Sequence, residues 1–474
     1  MRSSQIERQM RRLTLRLPPA AAPFYWHAKA NEPIGLLRGD VFVRTPKGRF
    51  RADGAVTARW RPTPHIAGEA AGPLHPLQMG NLLGNRESIE LPSRIRIRAN
   101  LSGEPVPVTT EPQTFSSSTS ERYGSVGRRD LPFDEVRFGV PNFLDVLGPR
   151  VRWPSGTGWR IQLDAPNHVI VLDGRPDYSD IRNQLESEGG YALTHAGSLV
   201  AKRRLAVRTA EGLIDALHYF LSFAAGRWTG PVLPVGFRAG KPIWAQWEVG
   251  QLDPWGASWS WFDRHDAAAL PTAYPRFLNL WRDSEWRDAL KLSVAYWLFA
   301  NRPTPVQAAI VFAQVCLEML AKTTLVSRGL VTRHQARGLE AGVIIARLLQ
   351  ELHIDPAVPR ALTSMHRWAG RVPPRLDGPT AIARLRNRVI HGNRTESEPS
   401  FRVWTDAWRL STHYVELSLL ALLGYEGQFS NRLRFERWVG QTEKVPWALA
   451  APDPDPPSHF HSPRSGTNMG SLAK

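Results

Sequence analysis

Cysteine is nearly absent from this chain of 474 residues, in which Cys316 is the single example. A disulfide framework within one chain is therefore excluded, and a reducing compartment, the cytoplasm, is the expected location. The sequence also lacks an unbroken run of about 18 apolar residues, so no membrane span is predicted. Prolines interrupt the apolar part of the N-terminal region, and we expect no secretory signal peptide.

Several common catalytic signatures are missing as well. The sequence contains no G-x-x-x-x-G-K-[ST], G-x-S-x-G, H-E-x-x-H or C-x-x-C motif. Asp173, Asp177 and Asp180 are close together, but they lie in a loop with Gly and Pro, where aspartates usually form turns rather than a metal site. We therefore expect neither a metal nor a cofactor.

Acidic residues are outnumbered, since 60 Lys and Arg against 43 Asp and Glu give a formal net charge of +17. Residues 1–60 and residues 326–394 each hold twelve basic and four acidic residues. An Arg-rich composition would explain the total, whereas a partner made of phosphates would explain the clustering. The length predicts two or three domains, and the hydrophobic content of 42% is that of a globular protein.

Alternating or apolar segments bounded by Gly, Pro and Asn predict a β-rich domain over residues 1–205. The clearest strands are Val41–Thr45, Ala55–Trp60, Arg94–Ala99, Trp159–Asp164 and His168–Leu172. A sandwich or a barrel-like fold would suit them, with a flexible Ser/Thr/Pro-rich loop near residues 102–130. Arg94, Arg96 and Arg98 share one strand face, which is either a solvated face or a stripe that faces nucleic acid.

Residues 206–287 form a Trp-rich connecting region that begins with a predicted helix, Thr209–Ala224, with Thr209 as its N-cap. Its tryptophans either pack a β-element against a helical domain or stack on unpaired bases. The chain beyond is helical. The predicted helices are Trp286–Leu298, Val306–Lys322, Thr332–Leu352, Ala381–His391 and Phe401–Leu423. They indicate a bundle over residues 288–430, followed by a C-terminal extension over 431–474 with a disordered tail from Ala450.

A basic cluster lies in the stretch A-I-A-R-L-R-N-R-V-I-H-G-N, residues 381–393. In a helix, Asn387 and His391 lie one turn apart on one face, and Arg388 reaches the same patch. Arg386 is about 140° round an ideal helix from His391. Its side chain must therefore reach across, or the helix must end at the glycine that follows His391. An imidazole beside a guanidinium suits chemistry at a phosphate.

The stretch Arg386–His391 resembles the R-N-x-x-x-H signature of HEPN domains, compact helical bundles of prokaryotic defence and toxin proteins. Pro305–Lys322 resembles the long helix of that family, which carries an inward-facing glutamate, here Glu318. Trp408–Tyr425 resembles its closing apolar helix. The preceding segments look like those of bacterial proteins that end in a HEPN domain, anti-phage abortive-infection members among them. The predicted fold class is thus α+β, a β-rich N-terminal domain followed by an all-α HEPN bundle.

The resemblance implies a metal-independent RNA endonuclease of bacterial defence, because RNA supplies its own nucleophile, the 2′-hydroxyl. His391 would act as acid or base and Arg386 would bind the phosphate. The supporting residues are Asn387, Arg384, Arg388 and Glu318. The resemblance further implies a homodimer with a composite site, products with a 2′,3′-cyclic phosphate, tRNA as a candidate substrate, and an unidentified trigger.

Alternatives to this reading stay open. One is a non-catalytic HEPN module that dimerises and binds nucleotides while the β-rich half senses a ligand. Another is a surface cluster in which Arg386 and His391 pair with Glu396 or Glu398. Glu318 has two candidate partners, an arginine of the motif and Lys322 one turn further along its own helix.

Overall fold

The structure, a computed structural model, describes residues 16–45, 48–71, 87–91, 95–99, 113–116, 125–302, 304–391, 398–434 and 438–448. The described chain is mixed α+β, with a β-rich N-terminal half and a helical C-terminal half, as predicted. Most of the predicted loop at 102–130, Glu396 and the predicted tail from Ala450 lie outside the described residues. So do Arg94 and the side chains of Arg96 and Arg98, and with them the predicted arginine stripe.

The first sheet in the chain has six antiparallel strands. They are β1 (Ile34–Thr45), β2 (Gly48–Arg59), β3 (His65–Ala71), β4 (Glu87–Leu91), β5 (Ile95–Ala99) and β6 (Gln113–Ser116). The order across the sheet is β5-β4-β1-β2-β3-β6. Strand β1 contains the predicted segment Val41–Thr45, and β2 and β5 contain all but one residue of the segments Ala55–Trp60 and Arg94–Ala99.

The second sheet has eight antiparallel strands. They are β7 (Ser125–Gly127), β8 (Phe133–Pro141), β9 (Arg150–Trp153), β10 (Gly156–Ala165), β11 (His168–Gly174), β12 (Leu193–Leu205), β13 (Val232–Arg238) and β14 (Lys241–Gln246). Their order is β7-β14-β13-β8-β12-β11-β10-β9. Because β13 and β14 belong to it, this sheet continues past residue 205. The predicted division of the chain into domains stays a prediction.

The two sheets share one apolar cluster, which fits the prediction of sheet-on-sheet packing. Val56 from β2 packs in the same cluster as Val235 and Phe237 from β13. Trp60, fully buried just after β2, stacks on the ring of Tyr191, with the ring centroids 5.9 Å apart. The opposite face of the second sheet carries a larger cluster that continues into the helices. One side of the second sheet therefore faces the first sheet, and the other faces the helical half.

Ten helices are described. They are α1 (Tyr178–Glu188), α2 (Val207–Ala225), α3 (Ala269–Arg282), α4 (Ser284–Asn301), α5 (Val306–Ser327), α6 (Arg333–Gly338), α7 (Ala341–Glu351), α8 (Thr363–Gly370), α9 (Gly378–His391) and α10 (Phe401–Leu422). A two-stranded ribbon, β15 (Gln428–Phe429) and β16 (Glu443–Lys444), follows. Helix α5 lies at the centre of the bundle, in contact with α4, α7, α9 and α10.

Among the described residues, helix α5 alone is long and apolar enough to cross a membrane by length and composition. The charged pair Glu318 and Lys322 interrupts its apolar sequence. The core helix of a globular protein meets the same criterion, and 56% of the apolar window is buried inside the protein. Its contacts with four other helices give α5 the position of a core helix.

Two predicted helices differ from those observed. Helix α2 begins at Val207, so Thr209 lies inside its first turn, and the N-cap is Ala206, which makes no side-chain capping bond. Thr209 was therefore the wrong N-cap, because the chain turns helical as soon as Val207 enters the core. The helix predicted at Thr332–Leu352 is two helices, α6 and α7. Thr332 caps α6 in a reciprocal capping box, and the chain is extended between the two.

Most tryptophans of the region 206–287 pack in the core, which confirms the packing interpretation for them. Trp244 and Trp261 are almost completely buried, as is Trp297 of α4, and their rings contact other aromatic rings. Trp259 is more exposed. Cys316 is fully buried, as predicted, and burial raises the pKa of its thiol to about 12.

A buried ion pair joins three parts of the chain. The side chains of Arg432 and Glu416 are both fully buried, with Arg432 Nη2 and Glu416 Oε1 2.5 Å apart. Arg432 Nη2 also donates to Asn301 Oδ1 at 2.9 Å. The other end of that amide, Asn301 Nδ2, donates to the carbonyl oxygens of Gly226 and Trp259. A Cβ at Gly226 would lie 2.0 Å from the Trp259 oxygen, so only glycine allows this approach.

Acid should destabilise this protein through its buried histidines. Burial lowers the pKa of His195 and His413 to about 3, and that of His27 and His168 to about 4. Since these folded pKa values lie below the reference value near 6.5, the unfolded chain takes up protons first. The stabilising contribution is complete above about pH 6.5 and is lost as the pH falls, by up to about 1.4 kcal/mol per histidine per pH unit.

The variant His413→Leu tests this expectation, because His413 Nδ1 is buried without a hydrogen-bond partner and leucine leaves no donor unpaired. Urea unfolding between pH 7 and pH 5 should give a slope of stability against pH that is shallower by about 1 kcal/mol per pH unit on average, because the unfolded histidine is only partly protonated near pH 6.5. The slope is the readout, so a change in stability at pH 8 does not affect the test. Equal slopes for both proteins would contradict the assignment.

Candidate functional site

Polar contacts fix the start of helix α9, and the burial of its apolar face sets its orientation about the helix axis. The carboxylate of Asp377 accepts a hydrogen bond from the Thr380 N–H at 2.8 Å. A Cβ on Gly378 would lie 2.4 Å from the hydroxyl of Tyr414, so this position needs glycine. The buried apolar positions of the helix are Ala381, Ile382 and Leu385. Their burial turns the opposite side of the last two turns toward solvent.

The exposed end of α9 carries the predicted motif. Asn387 and His391 are both exposed and lie one helical turn apart on one face, as predicted. The helix ends at His391. Val389 and Ile390 are also exposed there, by 39% and 48%, although both are large apolar residues. A polar face and an apolar face therefore meet at the tip of this helix.

Arg386 is hydrogen-bonded to a residue that shares the face of His391. Its Nη1 donates to Asn387 Oδ1 at 3.0 Å, and Asn387 shares the face of His391. Arg386 Nε is buried and has no hydrogen-bond partner. A buried donor of this kind costs about 1–3 kcal/mol until an acceptor satisfies it. No hydrogen bond joins Arg386 to His391 within the part of the chain that the structure describes.

The other arginines of the motif are half-buried. Arg388 Nη2 and Glu398 Oε2 are 2.9 Å apart, and the Arg388 side chain is only 14% exposed. Glu398 therefore pairs with the cluster, as one alternative predicted, but through Arg388 rather than Arg386 or His391. Arg384 lies one turn before Arg388 on the same side of α9. The ion pair fixes the chain on both sides of residues 392–397.

Glu318 makes the second of its two candidate pairings. Lys322 Nζ lies 2.6 Å from Glu318 Oε1, one turn along α5. Among the described residues no hydrogen bond joins Glu318 to an arginine of the motif, although α5 and α9 are in contact. A partly exposed pair at this spacing stabilises a helix by only about 0.2–0.5 kcal/mol. The supporting role of Glu318 is therefore not visible as a contact in this structure.

The three aspartates predicted to share one loop do not do so, because Asp173 belongs to β11, Asp177 precedes α1 and Asp180 lies inside α1. Asp173 pairs with Arg160 at 2.7 Å, and Asp177 pairs with Arg175 at the same distance. Within the described ranges no group of three or more His, Cys, Asp or Glu side chains could hold a metal ion. The candidate chemistry of the chain therefore rests on the basic motif of α9.

A second basic surface was missed from the sequence. Lysine and arginine side chains from the end of β12, the start of α2 and the junction of α3 with α4 line one cavity, here called the β12–α2 groove. The run K-R-R-L-A-V-R at residues 202–208 was the signal that could have indicated it. The groove shares no residue with α9.

Fold and site together define an α+β protein whose helical bundle presents a basic motif at a helix tip. Residues 128–258 match the family model described as the YopA central domain, and residues 283–444 match the YopA C-terminal domain. The second match contains α4–α10 and with them the candidate site. The chain is 26% identical over 428 residues to the SPbeta prophage-derived uncharacterized protein YopA of Bacillus subtilis (strain 168), covering 88% of this chain and 95% of that protein. No solved structure matches significantly.

Proposed function

We propose that this protein is a metal-independent RNA endonuclease with a HEPN-type helical domain, acting in bacterial defence by abortive infection. One observation carries the proposal. The guanidinium of Arg386 donates a hydrogen bond to Asn387, which lies on the exposed face that ends in His391. A permanent cation and an exposed imidazole at the same helix end are suited to binding and cleaving a phosphodiester.

The reaction needs one proton acceptor, one proton donor and a counter-charge. His391 takes the proton from the 2′-hydroxyl, whose oxygen attacks the adjacent phosphorus. Arg386 stabilises the negative charge that develops on the non-bridging oxygens. The bond from phosphorus to the 5′-oxygen breaks, and that oxygen takes up a proton. The products are a 2′,3′-cyclic phosphate and a free 5′-hydroxyl.

A homodimer would complete the site, since the second histidine supplies the proton donor. The exposed Val389 and Ile390 lie beside His391 at the tip of α9, and Phe401, 71% exposed, begins α10. Burying such residues favours association by about 25 cal/mol per Å² of apolar surface. A contact between two copies through this surface would place two motifs across one groove, with RNA, tRNA among the candidates, lying between them.

Incubation of the purified protein with total cellular RNA in excess EDTA tests the proposal. We expect discrete fragments ending in a 2′,3′-cyclic phosphate, which are detected by their resistance to labelling at the 3′ end until the cyclic phosphate is removed. Fractionated tRNA, ribosomal RNA and messenger RNA identify the substrate class. Cleavage that EDTA abolishes, or that produces other ends, would contradict the mechanism.

A non-catalytic module is the second candidate function. The pairing of Arg388 with Glu398 favours it, because this pairing neutralises part of the basic cluster. In that case the helical half would dimerise and bind nucleotides, and the β-rich half would sense a ligand. Intact RNA after incubation, together with dimerisation in sedimentation experiments, would favour this candidate over the ribonuclease.

A further inference from the structure

The β12–α2 groove is a cavity of about 970 Å³ in the β-rich half, beside the helices α2, α3 and α4. Seven lysine and arginine side chains line it, with one carboxylate, Asp215. Three of the seven are consecutive in β12, namely Lys202, Arg203 and Arg204. The others come from α2, α3 and α4, so folding brings together charges that are far apart in the sequence.

Some of these cations already have partners. Arg204 pairs with Asp134, and Lys291 pairs with Asp215 at 2.6 Å. Arg287 donates to the backbone carbonyls of Trp281 and Arg282. These contacts hold the wall of the groove in place.

The remaining four cations have no hydrogen-bond or ion-pair partner within the ranges that the structure describes. They are Lys202, Arg203, Arg208 and Arg282, and all four are exposed. Like charges held close together repel each other, which costs stability unless an anion lies between them. Their shared position in one cavity therefore indicates an anionic ligand.

The start of α2 adds backbone donors to the same cavity. Its N-cap, Ala206, offers no side-chain acceptor, so capping side chains do not occupy the first N–H groups. Arg208 and Thr209, both in the first turn, line the groove. The N-terminus of a helix of 19 residues carries a partial positive charge of roughly half an elementary charge. The N–H of Thr209 already donates to the carbonyl oxygen of Ala206, so the N–H groups that precede it are the ones that an anion could reach at this position.

A buried histidine is among the residues that line the groove. His168 is buried there, and its Nε2 lies 3.0 Å from the hydroxyl of Tyr274. Burial and the nearby Arg282 lower the pKa of His168 to about 4. The positive charge of the groove at neutral pH therefore comes from its lysines and arginines rather than from His168.

We propose that the β12–α2 groove binds the closely spaced phosphate groups of a nucleotide ligand. The four cations without a described partner exceed what one phosphate would neutralise, whereas a triphosphate or several successive phosphodiesters would use them. The volume falls within the range of ligand sites, about 300–1,000 Å³. No groove residue belongs to α9 or α10, so the groove is separate from the motif and does not depend on the proposed ribonuclease activity.

The double variant Arg203→Glu/Arg208→Glu tests the groove, because both side chains are exposed and replacing them removes no described contact. A matched control, Arg333→Glu/Arg360→Glu, makes the same change in net charge at two exposed positions of the helical half. All proteins carry His391→Ala, so that RNA stays intact. The probes are ATP, inorganic tripolyphosphate and a single-stranded RNA of twelve nucleotides, with binding measured by calorimetry and fluorescence anisotropy at two salt concentrations.

We expect the groove variant to bind the probes at least about tenfold more weakly. The slope of log affinity against log salt concentration should become shallower by about two, because two phosphate contacts are lost. The control should bind like the parent protein. Binding of ATP and tripolyphosphate without RNA would identify a free nucleotide, whereas preference for RNA would identify a strand. The proposal is overturned if no probe binds, or if the control weakens binding as much as the groove variant. Neither of these two results would bear on the proposed ribonuclease activity, which the cleavage assay tests independently.

Discussion

Replacing His391 with alanine should lower the rate of RNA cleavage by at least about 100-fold, because no other group in the motif can carry a proton near neutral pH. Arg386→Ala should lower it by a similar factor, about 10²–10³, since the developing charge then has no guanidinium. His391 is exposed, and its removal breaks no described contact, so the fold should survive. Single-turnover cleavage of one defined RNA measures the rate.

Two further variants separate a catalytic role from a structural one. Asn387→Ala removes the acceptor that holds Arg386, so it should reduce cleavage less than Arg386→Ala does. Arg386→Lys keeps the charge but loses the planar guanidinium, which binds two phosphate oxygens at once. We expect its cleavage rate to be close to that of Arg386→Ala. The control is His334→Ala, another exposed histidine, on α6. If His391→Ala and His334→Ala cleave RNA equally fast, His391 is not the proton carrier.

The largest effect on stability is expected at the buried pair of Arg432 and Glu416. Arg432→Met should cost about 3–5 kcal/mol, because it leaves a carboxylate buried without its counter-charge. It also removes the donor to Asn301. Urea unfolding followed by circular dichroism measures the loss as a lower midpoint.

The double variant Arg432→Met/Glu416→Leu tests whether the loss of stability comes from the unpaired carboxylate. With both charges removed and similar volume kept, most of the lost stability should return, since a buried ion pair is often no better than apolar packing. A surface pair, Arg128 with Asp130, provides the control, because water screens the attraction between exposed charges and their removal should change the stability little. A small effect of Arg432→Met would mean that water reaches Glu416.

The helices could be predicted where their apolar residues recur at helical spacing. Helices α9 and α10 were located to within about three residues, since Ala381, Ile382 and Leu385 already mark a buried face. The break between α6 and α7 was harder, because it depends on the extended backbone of Leu339 and Glu340, which the apolar pattern does not mark. Helix α3 was missed, with Pro275 inside it.

The candidate site was predictable only in part. The shared face of Asn387 and His391 follows from their spacing, whereas the bond between Arg386 and Asn387 depends on side-chain rotamers. The pairing of Arg388 with Glu398 requires the chain to return after α9. The run K-R-R-L-A-V-R could have indicated the basic charge of the β12–α2 groove but not its cavity, because the other charges come from segments about 80 residues away that only the fold brings close.

The amide of Asn301 limits how this protein can be divided. Its hydrogen bonds reach Gly226 and Trp259 in the Trp-rich region and Arg432 in the C-terminal extension. A fragment that contains only residues 288–430 would lose all three partners. It would also leave the buried carboxylate of Glu416 without its partner, Arg432. The helical half is therefore not an exchangeable module, and transplanting it onto another sensor would require the segments on both of its sides to move with it.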